Sequence, residues 1–184
     1  LAVVIVSYMT IRMIQNDSIQ ESMQIYLEQI TREIDSDYYD MIGIVNQMSP
    51  NGLIGSVTES YLSAEDNYNR YFEQKSLREE LIKLGYVNTK LLGIAYYDPK
   101  EQKELIGNFN VRVLDPSYQT ISKVVVGAEN IIQAMHTSYL GIRETPVLSV
   151  MRRVPFGNKR VLDIYAEIEP DMSVSDRLNK EKWP

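Results

Sequence analysis

Cysteine is absent from the 184-residue sequence, which removes thiol catalysis, disulfides and cysteine-ligated zinc together. Histidine occurs once, as His136, so a zinc centre built on several imidazoles is excluded and a Ser-His-Asp triad would have to use that one ring. Glycine-rich phosphate loops, nucleophile elbows and calcium-loop spacings are missing as well. Basic residues are outnumbered, 19 Lys and Arg against 25 Asp and Glu for a net charge of −6. No basic stripe is left for phosphates, and nucleic acid is not an expected partner. Nothing in this inventory builds an active site, a metal site or a cofactor site, and no enzyme, metal or cofactor is expected.

Proline is also absent from Ile11 to Met48, where Gly43 is the single glycine. Apolar residues recur there at Ile19, Met23, Leu27, Ile30, Ile34, Tyr38, Met41, Val45 and Met48, in steps of three and four. That period is one face of a helix and is incompatible with strand alternation. The opposite face carries Gln20, Glu21, Gln24, Glu28, Arg32, Glu33, Asp35, Asp37 and Asp40. Its acidic members read as a solvated face rather than a cation site. About 38 helical residues would reach roughly 57 Å, more than a domain of the remaining size is wide, so part of the helix is expected to project. Ser49-Pro50-Asn51-Gly52 supplies the stop.

The opening LAVVIVSYMTIRMI, residues 1–14, is apolar but shorter than the roughly twenty residues that cross a hydrocarbon core. It has no basic segment ahead of it and no small-residue cleavage site, which argues against a signal peptide. It starts with Leu, and the expectation is a chain cut from a longer protein.

Beyond the turn, helices are expected over 53–84. One runs near Leu53 to Leu62 and another near Ala64 to Leu84, with Ser63 and Asp66 as a capping box and Gly85 as the stop. The period then changes. Leu91 to Tyr97 reads as a buried strand, Asp98-Pro99-Lys100 as a turn and Lys103 to Val111 as its hairpin partner. An irregular connector, Leu114 to Met135, includes a short helix around Ala128 to Met135. Thr137 to Arg143, Val147 to Val154 and Arg160 to Ile168 complete a sheet over 91–168. In the last strand Leu162, Ile164, Ala166 and Ile168 share one face, taken as the core, and Asp163, Tyr165 and Glu167 share the other.

This order, carried by VSYMTIRMIQNDSIQESMQIYLEQITREIDSDYYDMIGIVNQM, LLGIAYYDP and VLSVMRRVPFGNKRVLDIYAEI, resembles the extracytoplasmic Cache (PAS-like) sensor domain of YesM-like membrane sensor histidine kinases of Gram-positive bacteria. The resemblance implies an α+β fold, a long N-terminal helix packed on a five-stranded antiparallel PAS-like (single Cache) sheet. Residues 1–14 would be the outer end of a first transmembrane helix. Residues 15–170 would be the sensor domain, with the long helix over 15–48. Residues 171–184 would be a juxtamembrane tail, where Lys180, Lys182 and Trp183 suit a headgroup boundary.

The implied function is non-enzymatic signal input to a two-component kinase, at the cell membrane and on its outer side. The implied partners are a small molecule, such as a sugar or carboxylate, or a solute-binding protein, and a second copy of the chain through the long helix. The alternatives are the sensor domain of a chemoreceptor, a diguanylate cyclase or an AraC-like regulator, and a surface solute-binding domain that does not signal.

A ligand would lie on the Asp163 and Tyr165 side, under the connector. Ser149, Met151 and Arg153 join them in one register, Leu148, Val150 and Arg152 in the other, and the more polar first set is preferred. Tyr96, Asn108, Asn110 and Arg112 are added from the hairpin. Rings stack and charged forks fix hydroxyls or anions, which is the chemistry that orients a sugar or a carboxylate. His136 is read as a solvated or capped loop residue rather than a pH sensor or base.

Overall fold

The computed structural model describes residues 2–101, 103–107, 129–140, 146–157 and 160–170. The chain divides into two units, one holding residues up to Ser36 and the other beginning at Asp37. Helix α1, Ala2–Met48, is unbroken, as the three-and-four spacing requires. Within the first unit Ile14, Met23 and Leu27 are exposed. Polar pairs one turn apart, Gln24 with Glu28 and Gln29 with Glu33, support this stretch of helix. Among the described residues no helix is long and apolar enough to cross a membrane.

In the second unit the same apolar stripe becomes core. Met41, Val45 and Met48 are fully buried, each contributing about 1.5–3 kcal/mol of transfer free energy. The helix ends where expected: Ser49 N–H donates back to the Val45 carbonyl at 2.9 Å, and Gly52 N–H closes the turn on the Ser49 carbonyl at 2.7 Å. Helix α2, Leu53–Ser63, buries Ile54 and Thr58. Helix α3, Asn67–Val87, buries Leu77, Leu81 and Leu84.

Two helix boundaries differ from expectation. Asp66 is not the far end of a capping box but the N-cap itself, its carboxylate accepting from Asn69 N–H at 2.8 Å. Gly85 does not stop α3, which runs on to Val87 and is capped by Asn88, whose backbone and side-chain N–H groups both donate to the Leu84 carbonyl. The carbonyls of the last turn have a polar side chain to meet, so no left-handed glycine is needed.

The sheet is antiparallel throughout, with strands β1 (Leu91–Asp98), β2 (Lys103–Gly107), β3 (Ile131–Thr137), β4 (Pro146–Phe156) and β5 (Arg160–Ile168) in the order β2-β1-β5-β4-β3. The architecture is therefore α+β, a long N-terminal helix and a five-stranded antiparallel sheet. β5 matches its expected limits and lies in the centre.

The third strand does not. Ile131–Thr137 is a strand where a helix was expected to reach Met135, and the chain turns at Tyr139 and Leu140 where a strand was expected. A short apolar run fits either period, and backbone pairing of Ile131 with Met151 and Ile132 with Val150 decides for the strand. The expected parts of strands at 108–111 and 141–143 lie outside the described residues.

Both faces of the central strand are buried, which corrects the expectation of a single core face there: every residue from Leu162 to Ile168 is buried. One face, with Leu162, Ile164, Ala166 and Ile168, carries Tyr96 and Arg152 as cross-strand neighbours of Ile164 and faces α1. Tyr96 donates to the Met48 carbonyl at 2.5 Å. Arg152 donates to Asn46 Oδ1 and Asn130 Oδ1, both at 2.8 Å, and burial lowers its guanidinium below the usual value. The second face carries the polar residues.

Candidate functional site

Register assembles the site. Alternation along β5 puts Asp163, Tyr165 and Glu167 on one side, and antiparallel pairing sets Arg153, Met151 and Ser149 of β4 directly across from them. The preferred set of β4 residues is thus the one on this face. Arg153 grips Asp163 with two hydrogen bonds, 2.6 Å from Nε and 2.8 Å from the terminal nitrogen. Asp163 is fully buried, which makes this a desolvated, bidentate pair. Tyr97 of β1 stands across from Asp163. Burial, then the charges of Asp163 and Asp98, push its hydroxyl above the usual phenol value.

At the other end of the face lies Glu167, also fully buried. Its Oε1 accepts from the Tyr165 hydroxyl at 2.6 Å and from the backbone N–H groups of Tyr139 at 2.6 Å and Leu140 at 3.3 Å. Its Oε2 accepts from the Ser138 hydroxyl at 2.5 Å. A lone buried charge is costly, and here donors converge from the turn after β3 to replace water. Burial first, then the charge of Glu167 and the hydrogen bond to it, push the Tyr165 hydroxyl far above the usual phenol range, so it stays protonated.

His136 stands on the same face through an irregularity in β3. The β3–β4 register shifts between Gln133 and His136. The ring reaches Ser149, with Nε2 2.7 Å from Oγ, while Nδ1 lies 2.7 Å from the Thr137 carbonyl. Tyr139 stacks on it at 4.4 Å and 21°. The expected solvated loop histidine is instead a half-buried strand residue inside the polar cluster. Tyr97, Leu140, Met151 and Tyr165 pack together beside it as a small apolar floor, with Ile131 and Tyr139 at its margin. Gln133 donates to the Tyr139 hydroxyl at 2.7 Å, and its Oε1 is a buried acceptor without a partner among the described residues.

Five of the nine expected site residues are therefore brought together: Ser149, Met151, Arg153, Asp163 and Tyr165. Tyr96 is not, because it faces α1 and its hydroxyl is engaged by Met48; Tyr97 takes the position expected of it. Asn108, Asn110 and Arg112 lie outside the described residues. Glu167, His136, Ser138 and Tyr139 were missed as site residues. Alternation already placed Glu167 two positions beyond Tyr165, a usable signal, whereas His136 needed the shifted register of β3. Asp37, expected on a wet helix face, is buried at 4% exposure and paired with Lys90 at 2.7 Å. Among the described residues no cluster of His, Asp and Glu could hold a metal ion.

Ser149 with His136, and the ring fixed by a carbonyl, reproduces the spacing of a nucleophile and its base. Ser149 is only 1% exposed. No family model and no curated protein matches the sequence.

Proposed function

We propose that the chain is the extracytoplasmic signal-input domain of a membrane sensor histidine kinase, a Cache (PAS-like) module in which the polar sheet face meets the ligand and α1 receives the change. The observation that carries this reading is the course of β5. This central strand bears Asp163, Tyr165 and Glu167, bonds to neighbours on both sides, and ends at Ile168. Ile168 lines a cleft of about 220 Å³ together with Asp37, Asp40 and Ile44 of α1. In this reading a shift of the strand reaches the helix across that cleft, without an intervening loop. A ligand drives such a shift only through different affinity for the two arrangements.

In this reading residues 1–14 belong to a membrane-spanning helix, and the exposed Ile14, Met23 and Leu27 meet the same helix of a second copy. The ligand is a small polar molecule, a sugar or a carboxylate, or a solute-binding protein. Tyr97 and Tyr139 offer rings, Arg153 a cationic edge and Gln133 an open acceptor.

The absence of cysteine makes the test direct, since introduced thiols are the sole labelling sites. Sugars, small carboxylates and divalent cations are screened by thermal shift, because a ligand of the folded form raises its melting point. The distance between spin labels on Asp40→Cys and Glu169→Cys is then measured with and without each hit. The expected result is a hit that changes the distance and is lost in Asp163→Ala. A hit that leaves the distance unchanged overturns signal input. A hit retained in Asp163→Ala moves binding off this face, and a silent screen removes direct small-molecule recognition.

A further inference from the structure

On the α1 side of the sheet, Arg152 is a cation without an anion. Its Nε donates to Asn130 Oδ1 at 2.8 Å, and its Nη1 donates to Asn46 Oδ1 at 2.8 Å and Ser49 Oγ at 3.2 Å. These partners are neutral. Its chain neighbour Arg153 is paired with Asp163, and Arg160 with Asp98 and Glu101, but among the described residues no carboxylate pairs with Arg152. Burial alone lowers its guanidinium, with no carboxylate charge to offset it. Three of its five N–H donors are engaged, which leaves both hydrogens of Nη2. That nitrogen is open to solvent, since among the described residues the buried side-chain polar atom without a partner is Gln133 Oε1.

The surrounding amides add to the open edge. A guanidinium can only donate, so the oxygens of Asn46 and Asn130 face it and their amide nitrogens, each with two hydrogens, do not. Neither nitrogen has a protein acceptor among the described residues. Within the planar fork Nη2 shares one edge with Nε, where Asn130 sits, and the other with Nη1, where Asn46 and Ser49 sit. We propose that Arg152, Asn46 and Asn130 form a binding site for a small carboxylate at the end of α1, on the sheet face opposite Asp163 and Tyr165. The guanidinium is held in place before any anion arrives, which lowers the cost of binding. Asn46 is exposed and Arg152 half-buried, so a solute reaches them. One positive charge balances one negative charge, and the last carbonyls of α1 oppose a second, so a carboxylate fits better than a phosphate dianion. The bound anion would bridge α1, β4 and the residue leading into β3. The site stands independently of the signal-input reading.

Acetate is titrated into the nitrogen-labelled chain at neutral pH, with sodium chloride at matched ionic strength as the control, and side-chain resonances are followed by NMR. The expected result is a saturable shift of the Arg152 Nε–H and of the Asn46 and Asn130 amide groups with acetate, and none with chloride. Asn46→Asp sets a carboxylate against the guanidinium at an exposed position. It is expected to weaken acetate binding several-fold while the backbone spectrum stays that of the folded chain. Asp163→Ala is expected to leave acetate binding here unchanged, which tells this site apart from the polar face. Equal shifts with chloride, or undiminished acetate binding in Asn46→Asp, overturn the site. Tighter binding of inorganic phosphate than of acetate overturns the choice of a carboxylate.

Discussion

Asp163 and Glu167 sit four residues apart on one strand, equally buried, and are stabilised by different chemistry. Asp163 has a guanidinium, whereas Glu167 has two hydroxyls and two backbone N–H groups. Converging dipoles replace water at Glu167 without a second buried charge. Asp98 shows a third balance. Burial pushes its carboxyl up, but the Glu101 N–H, the Arg160 guanidinium and the Lys100 N–H outweigh burial and hold it below the usual range. A depressed carboxyl contributes stability that is fully present above its unfolded value of about 3.9 and is lost as pH falls through the lower folded value. Asp98→Asn is therefore expected to narrow the difference between urea midpoints measured at about pH 6 and about pH 3. An undiminished difference would show that Asp98 carries none of the acid sensitivity.

Among the elements, two glycines separate space from propensity. A Cβ at Gly55 of α2 would lie 1.8 Å from the Ser49 carbonyl oxygen and 2.9 Å from Pro50 Cα, backbone atoms that cannot swing aside. At Gly43 of α1 nothing lies within 4 Å of the added carbon. Gly55→Ala is expected to lower stability by about 2 kcal/mol through overpacking, and Gly43→Ala to raise it by about 0.5–1 kcal/mol through helix propensity. Urea unfolding of the two variants checks the opposite signs. The same contrast explains which elements were legible beforehand. α1 and β5 are long and strictly periodic, so neighbouring residues specify them. Ile131–Thr137 is brief and apolar, and only pairing with β4 selects strand over helix. In β1 nearly every position is buried, so composition does not tell that Tyr96 faces α1 and Tyr97 the polar side.

At the scale of the whole second unit, α1 is tied to the sheet at separate places: Tyr38 to β3, Arg152 of β4 to Asn46, and Tyr96 of β1 to Met48. The last two grip the C-terminal end of α1, where a guanidinium also suits the helix dipole. Tyr38 alone, of these three, meets the strand that holds His136. Tyr38→Phe removes just the hydroxyl and is expected to cost about 1 kcal/mol. It should also speed amide exchange in Ile131–Thr137 more than in Arg160–Ile168, read by hydrogen-exchange mass spectrometry. Equal acceleration in both strands would mean that the tie serves global stability instead of coupling β3 to the helix.

The sequence by itself determined the helix period, the turn at Ser49 to Gly52, the alternation of β5 and thus the companionship of Asp163, Tyr165 and Glu167. Each of these depends on residues within a few positions of one another, where backbone geometry alone sets which side chains share a face. The tertiary structure decided that β3 is a strand, that Tyr97 displaces Tyr96, and that His136 meets Ser149 while the turn after β3 wraps Glu167. Those outcomes require segments far apart in the chain to exchange backbone hydrogen bonds in one register, and a shift of a single residue would turn every side chain to the other face.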